Sequence, residues 1–193
     1  MDEYEFLINF HVYSKEMNKS RSVPDKDELV ARQEMLDEIM EAARDYYEHV
    51  NAYDYKQFCK ELMERGIRFT PVNDRTTKAK WTKLFAASIS KEDRKKVYFE
   101  QYRWHLFSYK LLNALAENDA REAFNREPKT SVYLFEQHSQ NAYLAENAHL
   151  FKAEDFDHDY IPFSDFYLFS PEGKWTYIHT HECYCGPYFY KLK

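Results

Sequence analysis

The residues best suited to chemistry crowd into one short stretch near the C-terminus, His179-Thr180-His181-Glu182-Cys183-Tyr184-Cys185-Gly186. If a strand continues through it, alternation puts His179, His181, Cys183 and Cys185 on one face. Two imidazoles and two thiolates are the ligand set of a tetrahedral zinc site. Spacing argues against that assembly, because the first and last of these side chains lie about 20 Å apart on an extended chain. Zinc-finger spacing is not met either, so no metal and no cofactor are expected. A second chemistry takes Cys185 or Cys183 as nucleophile, His181 or His105 as base and Glu182 as orienter. Neighbours on a strand face opposite sides, which separates His181 from Glu182, and no strand–turn–helix elbow surrounds either cysteine. On this reading the candidate catalytic residues are His105, His181, Glu182 and Cys185. Tyr184, Tyr188 and Tyr190, clustered beside them, are the candidate binding residues.

Two other patterns are weaker. Asp155, Asp157 and Asp159 open like a calcium loop, but such a loop needs Gly at its sixth position and Glu at its twelfth. Tyr160 and Phe166 stand there instead, so an acidic, solvated loop is expected. Residues 65–96 carry ten basic and three acidic side chains, interleaved with Phe69, Trp81 and Phe85. That texture suits a polyanion, yet no nucleic-acid motif accompanies it and the whole chain has a formal charge of -6. Nucleic acid is therefore disfavoured as a partner.

These candidates must be positioned by the rest of a 193-residue chain, long enough to bury a core without disulfides or metal. The composition is 44% hydrophobic and 31% charged, which excludes global disorder. Seventeen Tyr and fifteen Phe against three Gly point to an aromatic core and away from phosphate-cradling loops. No apolar run reaches the length of a membrane span. The acidic start, MDEYEFLINF, is unlike a secretory signal, and the odd cysteine count suits a reducing compartment. A cytoplasmic protein without membrane contact is expected.

The elements read as follows. Tyr4, Phe6, Ile8, Phe10 and Val12 alternate like a strand, though Leu7 and Tyr13 blur the pattern and leave a helix open. Asp25 with Glu28 resembles a capping box opening a long helix to about residue 50. Asp54 caps a second helix that ends at Gly66, and Ile67–Thr70 forms a short strand before Pro71. Trp81, Leu84 and Phe85 lie on a further helix, and Ser90 starts another running through Trp104 to Leu115. Residues 120–124 add a helical turn or two, and residues 152–157 a short helix. Val132–Phe135 reads as a buried strand. Phe166–Phe169, Ser170–Lys174 and Trp175–His181 read as strand, turn and strand. Helices precede strands without βα alternation. The fold class is α+β: N-terminal helices followed by a mostly antiparallel sheet with a C-terminal hairpin. Trp81, Trp104, Phe124, Tyr133, Phe135, Phe166 and Trp175 are the expected core.

Several of these segments together resemble a known family. Trp104-His105-Leu106-Phe107-Ser108-Tyr109, AREAFN at 120–125 and Val132-Tyr133-Leu134-Phe135-Glu136-Gln137-His138 are similar to the bacterial domain of unknown function 4275. So are Asp165–Phe169, Trp175-Thr176-Tyr177, Thr180-His181-Glu182 and Cys185-Gly186-Pro187-Tyr188-Phe189, with MERGIRFTPV at 63–72 as a lead-in. The resemblance covers about residues 56–190 and implies a small cytoplasmic bacterial or phage protein, with no activity to carry over. His105, His181, Glu182 and Cys185 fall on family-like positions, whereas His179 and Cys183 do not. The expected organisation is an N-terminal extension with an acidic helix, residues 1–55, and an α+β domain, residues 56–193.

The leading functional expectation is a protein-interaction module, such as an immunity-like or anti-defence inhibitor. Its acidic, aromatic face would meet a basic protein partner. The alternative is a hydrolase or nuclease using the His/Glu/Cys residues near the C-terminus. Oligomeric state is left open.

Overall fold

A computed structural model of the chain describes residues 26–157, 165–182 and 184–192. The strand expected over residues 4–12, the cap at Asp25, and Asp159, Tyr160 and Cys183 lie outside them. The chain divides into two compact units, residues 1–49 and 50–193.

Helix α1 (Lys26–Glu64) runs without interruption for 39 residues, where the sequence suggests two helices. No Gly or Pro falls within it, so Asp54 has nothing to cap and sits half-buried on the helix surface. The helix ends at Gly66. Its φ of 102° reverses the chain, while the Ile67 and Gly66 N–H groups return to the Leu62 and Met63 carbonyls at 3.1 and 2.9 Å. Gly66→Ala should therefore cost about 1–2 kcal/mol in urea unfolding, with Gly66→Asn recovering part of it. Equal stability of wild type and Ala variant would refute the cap.

After α1 come β1 (Arg68–Pro71), α2 (Asp74–Phe85), α3 (Lys91–Lys96), α4 (His105–Ser108), β2 (Leu115–Ala116) and α5 (Glu117–Arg126). The strands β3 (Ser131–Glu136), β4 (Ala142–Glu146), β5 (Phe166–Phe169), β6 (Trp175–His179) and β7 (Tyr188–Lys191) complete the chain. Two 3-10 turns, Ala148–Leu150 and Ala153–Phe156, separate β4 from β5. Among the described residues the seven strands form one sheet in the order β1-β4-β3-β5-β6-β7-β2, every pair antiparallel. The α+β class and the C-terminal hairpin follow the sequence reading.

Both faces of the sheet are covered, which is why its central strands read as unbroken apolar runs. On one face Phe58 and Leu62 of α1 and Phe124 of α5 pack with Val132, Leu134, Phe166, Leu168, Trp175 and Tyr177. On the other, Trp81 and Phe85 of α2 join Phe99, Trp104, Leu106 and Phe107 against Phe135, Tyr167, Phe169 and Ile178. The Trp81 indole N–H donates to Thr176 Oγ1 at 2.9 Å, satisfying the polar atom of a wholly buried ring. Of the expected core aromatics only Tyr133 is half-exposed, its ring lying under Lys80 Nζ at 4.3 Å.

The long helix expected from Ser90 to Leu115 is absent. Six residues of α3 follow the Ser90 cap, and the chain then turns at Tyr98 (φ 52°) and again at Lys110 (φ 58°). A single helix would point Phe99 and Leu106 away from Val97 and Trp104, and all four are buried on the same sheet face. Burial of the aromatic run overrides helical spacing, and His105 consequently lies on the single turn of α4.

Candidate functional site

The antiparallel register of β5 and β6 pairs Phe166 with His179. Asp165, just before β5, therefore faces the chain just beyond β6. Its carboxylate is buried, with 1% of the residue exposed, and accepts three hydrogen bonds. Oδ1 takes the His181 backbone N–H at 2.9 Å and the His181 ring Nδ1 at 2.8 Å; Oδ2 takes the Trp104 indole N–H at 3.1 Å. The Asp165 carbonyl in turn accepts the Gln137 N–H at 3.0 Å, and the Tyr167 hydroxyl accepts the Trp104 N–H at 3.0 Å. Strand ends, a buried indole and a buried phenol thus hold the carboxylate in place.

This arrangement fixes the imidazole. With Nδ1 donating to Asp165, the neutral ring carries its lone pair on Nε2, on a side chain 26% exposed. Nε2 lies 4.0 Å from Glu182 Oε1. An imidazole oriented by a buried carboxylate, with its other nitrogen open, is equipped to take or give a proton.

Around it stands an aromatic and histidine cluster. The Tyr102 ring centroid is 5.0, 5.6 and 5.7 Å from those of His105, His138 and His181. Trp104 lies between His105, at 4.3 Å, and His181, at 6.2 Å. His105 Nδ1 is 2.6 Å from the Val97 carbonyl, so that nitrogen is committed to the backbone.

The structure thus brings His105, His181 and Glu182 to one neighbourhood, with Cys185 in the turn that follows Glu182. Cys185 is half-buried against the aromatic face of the sheet, its N–H donating to the Glu182 carbonyl at 3.0 Å and its own carbonyl accepting the Thr180 hydroxyl. Tyr184 is 96% exposed. Tyr188 is buried and stacks on Phe107 at 5.7 Å, and burial, with Cys185 and Glu182 nearby, pushes its phenol up to about 12. Tyr190 packs against Phe85 and Phe107. Tyr188 and Tyr190 thus share Phe107, while Tyr184 is exposed. Among the described residues no group of three His, Cys, Asp or Glu side chains is placed to hold a metal ion. Asp155 and Asp157 instead pair with Arg65 and Arg121.

A family model described as Domain of unknown function (DUF4275) matches residues 56–189. The chain belongs to the DUF4275 family. No curated protein and no solved structure matches it. Every member of the Asp165–His181 cluster falls inside the DUF4275 segment, whereas residues 26–55 of α1 precede it. Among the described residues no helix is long and apolar enough to cross a membrane.

Asp165, Tyr102 and His138 escape a residue-by-residue reading. The available signal for Asp165 was a lone acid set directly before the wholly apolar run Phe166–Phe169, where a carboxylate cannot sit unpaired.

Proposed function

We propose that this DUF4275 protein is a protein-interaction module whose binding element is α1 over residues 29–47. One observation carries the reading. Leu29, Met35, Leu36, Ile39, Met40, Tyr46 and Tyr47 are between 37% and 64% exposed, although they fall on one side of the helix. At about 100° per residue they occupy roughly 140° of its circumference, a stripe of the width that normally faces a core. Glu34, Asp37, Glu38, Glu41, Asp45 and Glu48 occupy the opposite side.

The seven side chains together offer roughly 700–800 Å², close to one partner's share of a standard interface. Across residues 26–49 eight acidic groups stand against three basic ones, which favours a partner with a basic rim over a second acidic copy. A toxin or defence enzyme held by an immunity-like inhibitor fits that description.

Leu36→Glu/Ile39→Glu should weaken binding to a partner captured from the native host by about a hundredfold or more, with the unfolding of residues 50–193 unchanged. Undiminished binding by the double variant would overturn the proposal. So would a wild-type dimer, seen by light scattering, that the variant returns to monomer.

The second reading is a hydrolase or nuclease in which His181 acts as general base or acid, oriented by Asp165. The buried carboxylate on Nδ1 favours it. His181→Gln should abolish any hydrolysis of ester or phosphodiester probes by the purified chain; activity surviving the substitution would remove this reading.

A further inference from the structure

The opposite block of charge gathers around a depression open to solvent. Between α2 and the segment from α3 to Arg103 lies a space of about 590 Å³, lined by Arg75, Lys78, Lys83, Arg94 and Arg103, with Glu100 as its acidic member. A second depression of about 460 Å³ shares Arg94 and Glu100 and adds Lys91, Lys95 and Tyr98. Volumes of this order suit small organic ligands.

The cations at its floor are incompletely matched from within. Arg94 and Arg103 flank the buried Phe99 ring, their guanidinium carbons 5.4 and 5.7 Å from its centroid. Arg94 donates one terminal nitrogen to the Ala86 carbonyl. The Nε atoms of both arginines are buried with no hydrogen-bond partner among the described residues. Lys78, with 14% of its side chain exposed, donates to the Ser139 carbonyl at 2.6 Å and lies 3.5 Å from Asp74. Burial, and then Arg103 nearby, push the Lys78 amine below its usual range despite Asp74; burial does the same to Arg103. Half-buried like charges placed side by side destabilise one another until an anion enters.

We propose that these two depressions form one binding site for a small organic oligophosphate, of the nucleoside di- or triphosphate class. Seven cations line the two spaces against Glu100, with Asp74 beside Lys78; that excess calls for a ligand with several charges, and the arginine forks suit phosphate oxygens. The phosphates sit against Arg94, Arg103 and Lys78. The organic part lies in the adjoining depression beside Tyr98, whose side chain is 61% exposed on a backbone of φ 52°. An aromatic ring held outward in a rarely adopted conformation is a stacking surface for a base.

The test is calorimetric titration of the full chain with inorganic triphosphate, with adenosine triphosphate and with a short single-stranded oligonucleotide. Both phosphate probes should bind, and Arg103→Gln should weaken both by about ten- to a hundredfold. Arg75→Gln, at an exposed position that leaves the fold intact, should weaken both severalfold. Tyr98→Ala should weaken the nucleotide and leave inorganic triphosphate unchanged. Absence of binding by both phosphate probes overturns the proposal, as does affinity unaffected by Arg75→Gln. An oligonucleotide that binds more tightly than the nucleotide and is displaced by it makes this a nucleic-acid surface and overturns the small-ligand reading.

Discussion

Replacing Asp165 by alanine is expected to destabilise the fold by about 3–5 kcal/mol, read as a lower urea midpoint with an unchanged slope. The loss comes less from the carboxylate itself than from what it leaves behind. The Trp104 indole N–H and the His181 backbone N–H both point into a site from which water is excluded. Asp165→Asn keeps one acceptor oxygen at the same place and should recover a substantial part of the loss. The same pair of variants bears on chemistry. In the Ala variant the His181 ring loses its orienter, so the Nδ1–H tautomer should no longer dominate in nitrogen-detected NMR spectra. A change in stability under 1 kcal/mol in the Ala variant, against the several expected from buried unpaired donors, would show that the carboxylate does not organise this end of the sheet.

His179 is expected to make the fold acid-sensitive. Its ring packs on Phe156 at 6.2 Å, and its Nδ1 is buried with no partner among the described residues. Burial is the main cause that lowers its pKa from 6.5 to about 4; Asp157 opposes the shift and Arg121 adds to it. The unfolded chain therefore takes up its proton first as the pH falls. Stability is complete above 6.5 and declines toward 4, by about 3 kcal/mol across the window. Urea unfolding at several pH values between 7 and 4 should show this decline, and His179→Gln should remove it. Parallel curves for wild type and variant would sink the assignment.

How much of this was legible in the sequence depends on the range of the interactions involved. The hairpin at 166–179 was readable because its parts are local: an apolar run, a turn with Gly173 at φ 71°, and a second apolar run. The end of α1 at Gly66 was readable for the same reason. The strands β4 and β7 were missed, since Ala142–Glu146 and Tyr188–Lys191 are short and carry weak alternation. Their pairing is set by partners distant in sequence. The helix drawn from Ser90 to Leu115 failed because its aromatic spacing was compatible with a helix, yet burial on one sheet face was not.

The candidate site divides along the same line. The sequence marked His105, His181 and Glu182; the structure packs both histidines against Tyr102 and Trp104 and sets Glu182 4.0 Å from His181 Nε2, while Tyr184 is exposed and Tyr188 and Tyr190 pack on Phe107. Asp165 and His181 are sixteen residues apart, and the carboxylate reaches the imidazole only through the register of β5 on β6.

From the sequence alone came the α+β class, the aromatic core, the family and the acidic and basic blocks, because composition and local patterning encode them. Tertiary structure alone decided which histidine meets a buried carboxylate, that the apolar side chains of α1 over residues 29–47 are exposed among the described residues, and that the basic block lines an open depression. Each of those depends on which long-range partner takes up a given surface, and no local window of residues carries that information.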